Sequence, residues 1–298
     1  MLRKLLKYDF KSVWRVWWIA AIITLGSSVI GSFALRFFLS LTTAPGVAAE
    51  SPEITFAYII SLILFLFSLL AIVASVFVME ILVYWRYYKH FFSDEGYLTF
   101  TLPVSRKQLL LSKTLNAVIW TAIHAVLLTV CTLIFMIISP NPGPGDGFFN
   151  PVLFCWIKEA ISFAVPPLFE LFGAGWIIAY TLIGLIGSFG VTLFSISLVH
   201  FCITLGAVIA KKHKLLAAIG TYYLVNAVIS FVAQAFITLF TLFMAGRFVV
   251  LLLEITSASV GCLVFFLIFF MIACVIWALA SILYFWTLGA LERKLNLA

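Results

Sequence analysis

The charged positions along the chain are sparse, and the apolar runs between them are long. Six runs of 20 to 40 residues contain no Asp, Glu, Lys or Arg. A helix needs about 20 apolar residues to cross a bilayer, whereas membrane barrels show alternating segments of roughly 10 residues. The continuous runs therefore predict six transmembrane helices. Their approximate ranges are 14–38, 54–84, 109–139, 176–210, 215–245 and 261–290.

The composition supports the same class of protein. Of the 298 residues, 65% are hydrophobic and 10% are charged. Soluble domains carry about 25% charged residues, and disordered chains have low hydrophobicity. The composition therefore excludes both classes. We predict an all-α integral membrane protein that forms a single transmembrane domain over residues 1–298.

The distribution of basic residues predicts the orientation of the spans. With six helices, 15 of the 18 Lys and Arg residues fall on the side of both termini, and 3 fall on the other side. Seven helices would divide them 11 to 7. Because cytoplasmic loops carry the excess of Lys and Arg, the pattern favours six spans with both termini in the cytoplasm. The net charge of +7 then reflects topology, and nucleic acid is not an expected partner.

Residues 1–13 show an amphipathic pattern at helical spacing. Apolar positions that include Leu5, Leu6 and Phe10 recur on one face, and basic positions that include Lys7 and Lys11 fall on the opposite face. This pattern predicts an interfacial helix before the first span. The segment could act as a simple topogenic anchor, or as an elbow helix that a cytoplasmic partner contacts.

The loop at 85–108 is the one cytoplasmic connection that is longer than a plain connector, which needs about 2–8 residues. Pro103 interrupts it, and the Ser105–Gln108 spacing is a capping-box pattern that predicts the start of the third span near Arg106. Residues 93–102 should therefore form a compact element between two helix ends. This element could be a docking surface, or it could pack only against its own helices.

The connection at 140–175 is predicted to be extracellular and to have two parts. Residues 140–147 are rich in Pro and Gly, which is typical of an irregular turn. The apolar stretch 151–172 predicts a surface or re-entrant helix, broken at Pro166–Pro167. It could gate a pore, or it could shield the ends of other helices.

The sequence contains few groups that carry chemistry of their own. It has no HExxH motif, no phosphate-binding loop and no CxxC pair. Glu80, His124 and His200 are ionisable residues within spans, and each could serve a proton relay or be satisfied by a neighbouring helix. We therefore expect no catalytic residue, no metal site and no bound cofactor, and we do not expect an enzyme.

Two segments resemble a known family. Residues 91–113, FFSDEGYLTFTLPVSRKQLLLSK, resemble the first cytoplasmic loop of ABC-2-type ABC transporter permeases. Residues 5–11, LLKYDFK, are similar to the amino-terminal elbow helix of that family. The resemblance implies the transmembrane subunit of an ATP-driven exporter in the cell membrane, the cytoplasmic membrane of a bacterium. The conspicuous outer segment departs from the family pattern, because it lies between the third and fourth spans instead of the fifth and sixth.

The resemblance also implies the partners. A second permease chain, identical or similar, would pair with this one in the lipid bilayer, and two copies of a separate cytoplasmic ABC ATPase would bind ATP and Mg²⁺. The cargo would be hydrophobic or amphipathic, such as a peptide, a drug or a lipid. The alternative is a polytopic membrane enzyme or assembly factor without transport activity.

A short helix in the loop would couple the ATPase to the spans. Its acids would meet basic groups of the ATPase, its glycine would allow a tight backbone, and its apolar side chains would fill an apolar cleft. The coupling residues implied in this way are Asp94, Glu95, Gly96, Tyr97, Leu98, Phe100 and Thr101.

Overall fold

The computed structural model describes residues 2–43, 52–101, 103–138, 152–210, 212–243 and 258–293. These residues form seven helices and no strand. The helices are α1 (Leu2–Thr43), α2 (Pro52–Phe92), α3 (Asp94–Thr101), α4 (Arg106–Ile138), α5 (Val152–Ile209), α6 (Lys214–Phe243) and α7 (Ala258–Arg293). All except α3 are long and apolar enough to cross a membrane. The predicted all-α membrane fold with six spans is confirmed.

The chain divides into two compact units. The first, here called the α1 unit, contains residues 3–85 and 119–163. The second, here called the α3 unit, contains residues 1–2, 86–118 and 164–298. The predicted elbow residues belong to the α1 unit, and the predicted coupling residues belong to the α3 unit.

Small residues bring the helices of the α1 unit close together. A Cβ atom on Gly31 of α1 would lie 1.8 Å from Oγ of Ser68 on α2, so the two helices approach more closely there than any larger residue allows. Ser61, Ser68 and Ser75 recur every seventh residue on α2, and all three are buried. Each hydroxyl donates to a backbone carbonyl of its own helix, which leaves a compact surface for packing.

The α3 unit uses the same kind of close contact. A Cβ atom on Gly206 of α5 would lie 2.4 Å from the backbone nitrogen of Ala218 on α6. The hydroxyl of Thr221 donates to the carbonyl of Cys202 across the same pair of helices, at 2.9 Å. The short connection between α5 and α6 therefore closes a tightly packed antiparallel hairpin.

Helix α1 differs from the sequence-based division into an elbow and a span. It is continuous over 42 residues, or about 63 Å, which is twice the thickness of the hydrocarbon core. No Pro and no Gly occurs before Gly26, so nothing in the sequence breaks the helix after residue 13. The amphipathic pattern itself is present. Leu5, Leu6 and Phe10 are half-buried, and Lys7 and Lys11 are exposed.

Helix α5 contains a break that was predicted at a different place. The backbone at Pro166–Pro167 is helical, and the interruption lies at Gly173, where φ is 72° and ψ is 156°. Residues with a side chain rarely adopt this backbone conformation. The segment before Gly173 is therefore a helix, as predicted, and the fourth span begins at this glycine.

Candidate functional site

The predicted coupling element is a short helix held at both ends by defined hydrogen bonds. The backbone N–H of Gly96 donates to the carbonyl of Ser93 at 2.7 Å, which begins α3 directly after α2. On the other side, the N–H groups of Gln108 and Leu109 donate to the Ser105 hydroxyl at 3.4 Å and to its carbonyl at 3.1 Å. Ser105 therefore caps α4, which begins at Arg106 as the sequence predicts.

Gly96 is required by a close approach and not by an unusual backbone angle. A Cβ atom on this residue would lie 2.8 Å from the carbonyl oxygen of Phe91 at the end of α2. Among the described residues, the only positive φ belongs to Gly173. Gly96 therefore does not adopt a positive φ, and its missing side chain serves to seat α3 against α2.

Glu95 forms an ion pair within the chain. Its carboxylate lies 2.6 Å from Nζ of Lys89, one turn before the end of α2, and both side chains are about half exposed. The hydrogen bond from Lys89 lowers the pKa of the Glu95 carboxyl, and the positive charges of Lys89, His90 and Arg86 act in the same direction. A basic group on a partner would therefore have to compete with Lys89 for this acid.

Phe100 is half-buried and packs against neighbouring helices. Its ring lies 5.6 Å from the ring of Phe91, and the guanidinium of Arg106 lies 5.6 Å from its centre. Arg106 also donates to the carbonyl of Leu291 and, at 2.9 Å, to that of Glu292 in the last turn of α7. One side chain thus joins α3, the start of α4 and the end of α7.

Two of the predicted coupling residues are exposed on the surface of α3. The side chain of Leu98 is 67% exposed, and Thr101 is exposed while its hydroxyl donates to the Leu98 carbonyl at 2.8 Å. The side chains of Asp94 and Tyr97 lie outside the described residues. Of the five that are described, Glu95, Gly96 and Phe100 contact the neighbouring helices, and Leu98 presents an exposed apolar side chain.

A buried polar cluster lies behind this element in the same unit. The imidazole of His200 stacks on the ring of Tyr87 with 3.9 Å between centroids, and the Tyr87 hydroxyl is 2.8 Å from the Thr204 hydroxyl. All three residues are buried, and the Tyr87 ring contacts Phe91 at 5.0 Å. The cluster therefore connects the end of α5 to the end of α2, next to the point where α3 is seated.

The other ionisable residues that the sequence singled out are separate from this cluster. His124 is buried in the α1 unit, with Nε2 3.5 Å from the Ser75 hydroxyl, and Glu80 is at an exposed position of α2. No group of three His, Cys, Asp or Glu residues that could hold a metal occurs within the described ranges. His124 thus contacts a neighbouring helix through Nε2, while its Nδ1 is buried and has no hydrogen-bond partner among the described residues, so both interpretations of this histidine stay predictions.

An apolar cavity of about 320 Å³ lies between α5 and α7 in the α3 unit. The hydroxyl groups of its two polar side chains donate hydrogen bonds within the chain. Tyr180 donates to the Cys262 carbonyl at 2.7 Å, and Ser188 donates to the Leu185 carbonyl at 2.9 Å. Its remaining lining is apolar or glycine: Ile183, Gly184, Gly187, Val191, Phe269, Ile272, Ala273 and Ile276. The cavity suits hydrocarbon better than a ligand that needs hydrogen bonds.

Two features of the site were not anticipated from the sequence. Arg106 caps the end of α7 through hydrogen bonds to Leu291 and Glu292, which are separated from it by 185 and 186 positions in the sequence. Local sequence patterns could not indicate contacts over that separation. Asp9, the sole acid in the first helix, is buried with 8% exposure and does not lie on the exposed polar face. Its position four residues before the buried Val13 is a local signal that could have placed it on the packed side.

Comparison of the chain with protein-family models, with curated proteins and with solved structures gives no match.

Proposed function

We propose that this chain is the transmembrane subunit of an ABC-2-type transporter, driven by a separate cytoplasmic ATPase. The observation that carries the proposal is the seating of α3. An eight-residue helix joins two spans, presents the apolar side chain of Leu98 outward, and is tied through Arg106 to the last turn of a third helix. Such an element can transmit a displacement, whereas a floppy linker would absorb it.

The contacts of α3 describe how a push would be passed on. Force applied at Leu98 would reach α2 through the Gly96–Phe91 contact and would reach α4 and α7 through Arg106. The buried stack of Tyr87 on His200 would carry it to α5. Four spans would thus move together when α3 moves.

The lining of a cavity in the α3 unit supports a proposal for the cargo. The cavity between α5 and α7 has only two polar side chains, and both Tyr180 and Ser188 already donate their hydroxyl hydrogens within the chain, so it offers few groups to a hydroxyl-rich ligand. A hydrophobic or amphipathic cargo, such as a peptide, a drug or a lipid, fits this surface. Export through the cytoplasmic membrane of a bacterium, with both termini of the chain in the cytoplasm, completes the proposal.

The test is reconstitution of the chain with the ATPase that co-purifies from its native membrane. Hydrolysis of ATP should be stimulated by one class of cargo in a panel of lipids, peptides and sugars, and labelled cargo should move only with ATP. Leu98→Asp should abolish ATPase capture and transport, and the apolar replacement Leu98→Met should preserve both. ATP-independent movement of cargo, or full transport by Leu98→Asp, would contradict the proposal.

Assembly provides a second test. Six spans are half of the pore that the resemblance implies, so cross-linking in membranes should trap two permease chains with two ATPase subunits. An active complex with a single permease chain would contradict this part. Capture of the ATPase without any transport would instead favour the assembly-factor alternative.

A further inference from the structure

The first turns of α1 carry a stripe of exposed cations. Arg3, Lys7 and Lys11 recur every fourth residue, so they lie on one side of the helix, and all three are exposed. Asp9 is the sole acidic residue within α1, and it is buried. The exposed charge here is therefore entirely positive.

These cations border a cleft whose other walls are apolar. A cavity of about 550 Å³ is lined by Arg3, Leu6, Lys7, Phe10, Lys11 and Trp14. Phe10 stacks on Trp120 of α4 with 4.7 Å between centroids, and Trp14 stacks on Trp17 at 5.7 Å. The apolar floor is thus supported from behind by aromatic rings of the same unit. A ligand that fits here has an anionic part beside a hydrocarbon part.

The aromatic cluster also holds unused hydrogen-bond donors. The indole N–H groups of Trp17 and Trp120 are buried, and neither has an acceptor among the described residues. Tryptophan is enriched where membrane proteins meet lipid headgroups, because one end of its ring is apolar and the other donates a hydrogen bond. The neighbouring Trp14 and Trp18 are exposed, which extends the aromatic surface to the edge of the cluster.

We propose that this cleft binds the headgroup of an anionic phospholipid from the leaflet at the amino-terminal end of α1. The phosphodiester would lie beside Lys7 and Lys11, and the glycerol and upper acyl chain would contact Phe10 and Trp14. A soluble phosphate would gain nothing from the apolar walls, which favours lipid as the source of the anion. The proposal concerns the α1 unit alone and does not depend on transport.

The test uses two double variants that remove the same charge from the same helix. Lys7→Gln/Lys11→Gln alters the cleft, and Lys4→Gln/Arg15→Gln alters exposed cations that do not line it. Each purified protein is equilibrated in detergent, at low ionic strength, with equal amounts of phosphatidylglycerol and phosphatidylcholine. Bound lipids are then counted by native mass spectrometry, with and without an excess of glycerol 3-phosphate.

The wild-type protein and Lys4→Gln/Arg15→Gln should retain phosphatidylglycerol in preference to phosphatidylcholine. Lys7→Gln/Lys11→Gln should lose about 5-fold in this preference for each lysine, or roughly 30-fold in total. An equal loss in both double variants would overturn the proposal, because the attraction would then be general. Displacement of the lipid by glycerol 3-phosphate would overturn it too, since the site would recognise a soluble anion.

Discussion

The guanidinium of Arg106 donates a hydrogen bond to the backbone oxygen of Glu292, 2.9 Å away, and so joins the first residue of α4 to the last turn of α7. The same group lies 5.6 Å from the centre of the Phe100 ring. A positive charge at the carboxyl end of a helix also interacts favourably with the helix dipole. Arg106 therefore fixes three elements of the α3 unit at one point.

Replacing Arg106 with Leu should loosen the end of α7 and the seat of α3. The loss of charge-assisted hydrogen bonds at a half-buried site should cost about 1–2 kcal/mol. We expect faster amide hydrogen exchange over residues 288–293 and over α3, measured by mass spectrometry. The matched control is Lys107→Leu, which removes the adjacent exposed cation. Equal acceleration of hydrogen exchange in both variants would show that Arg106 does not hold α3 and the end of α7 in place.

Replacing Gly96 with Val should displace α3 from the end of α2. The new Cβ would lie 2.8 Å from the Phe91 carbonyl oxygen, which belongs to the backbone of a helix and cannot easily move. We expect a loss of about 1–3 kcal/mol from overpacking, together with loss of ATP-dependent transport in the reconstituted complex. Thermal unfolding and transport are measured on the same preparation.

The control for this glycine is Gly26→Ala in α1. Nothing lies within 4 Å of the position of its Cβ, so this change should be neutral or stabilise the helix by up to about 1 kcal/mol. Normal transport by Gly96→Val, at normal expression, would show that α3 need not be seated against α2.

The contact between Gly31 and Ser68 predicts a specific pattern of rescue. Gly31→Ala should destabilise the α1 unit by about 1–3 kcal/mol, because its Cβ would lie 1.8 Å from Oγ and 2.4 Å from Cβ of Ser68, and 2.9 Å from Cζ of Phe135. Removing only the hydroxyl, as in Ser68→Ala, leaves the clash with Cβ of residue 68, whereas Ser68→Gly leaves only the contact with the tip of the Phe135 ring. Stability should therefore recover more in Gly31→Ala/Ser68→Gly than in Gly31→Ala/Ser68→Ala. Thermal unfolding in detergent distinguishes the two, and equal stability of both doubles would contradict the contact.

The ion pair of Glu95 with Lys89 predicts a pH dependence. The pKa of Glu95 is lowered from its ordinary value of 4.5, chiefly by the hydrogen bond from Lys89. The pair therefore stabilises the fold above pH 4.5, and this contribution is lost as the pH falls through the lower pKa of the folded state. The effect should be small, below about 1 kcal/mol, because both side chains are half exposed.

Titration of ¹³C-labelled glutamate side chains by NMR measures this directly, with the Glu95 signal assigned from Glu95→Gln. Lys89→Gln should raise the titration midpoint of Glu95 toward 4.5. An unchanged midpoint would mean that Lys89 does not hold the carboxylate in solution.

The sequence predicts the spans well and their packing poorly, for one physical reason. A run of 26 uncharged residues between Glu53 and Glu80 is enough to indicate a membrane helix, and Ser105 three residues before Gln108 is enough to place a helix start. Lipid-facing and protein-facing positions are both apolar, however, so hydropathy cannot tell them apart. Exposed Leu70 and buried Met79 look alike in the sequence, although the structure separates them.

Two contacts of the candidate site could not be predicted, for equally local reasons. Gly96 lies in a helix where the carbonyl of Phe91 approaches, and no pattern around this glycine indicates that contact. Glu95 meets Lys89, six residues earlier in the chain, and the predicted contact of this acid with a partner stays a prediction. In both cases the deciding contact comes from the end of α2, whose direction relative to α3 no sequence pattern specifies.

The buried serines that recur every seventh residue along α2 determine which amino-acid substitutions this helix can tolerate. Ser68 would accept little beyond Gly or Ala because Gly31 approaches it closely, and we expect the same of Ser61 and Ser75, which are buried on the same face of the helix. The exposed Phe67 and Leu70 can become almost any apolar residue without disturbing a neighbour. A saturation library of α2 should therefore show intolerance with a period of seven that tracks volume and not hydropathy. The small polar serines of α2, and not its large apolar residues, would then be the positions at which substitution harms the protein most.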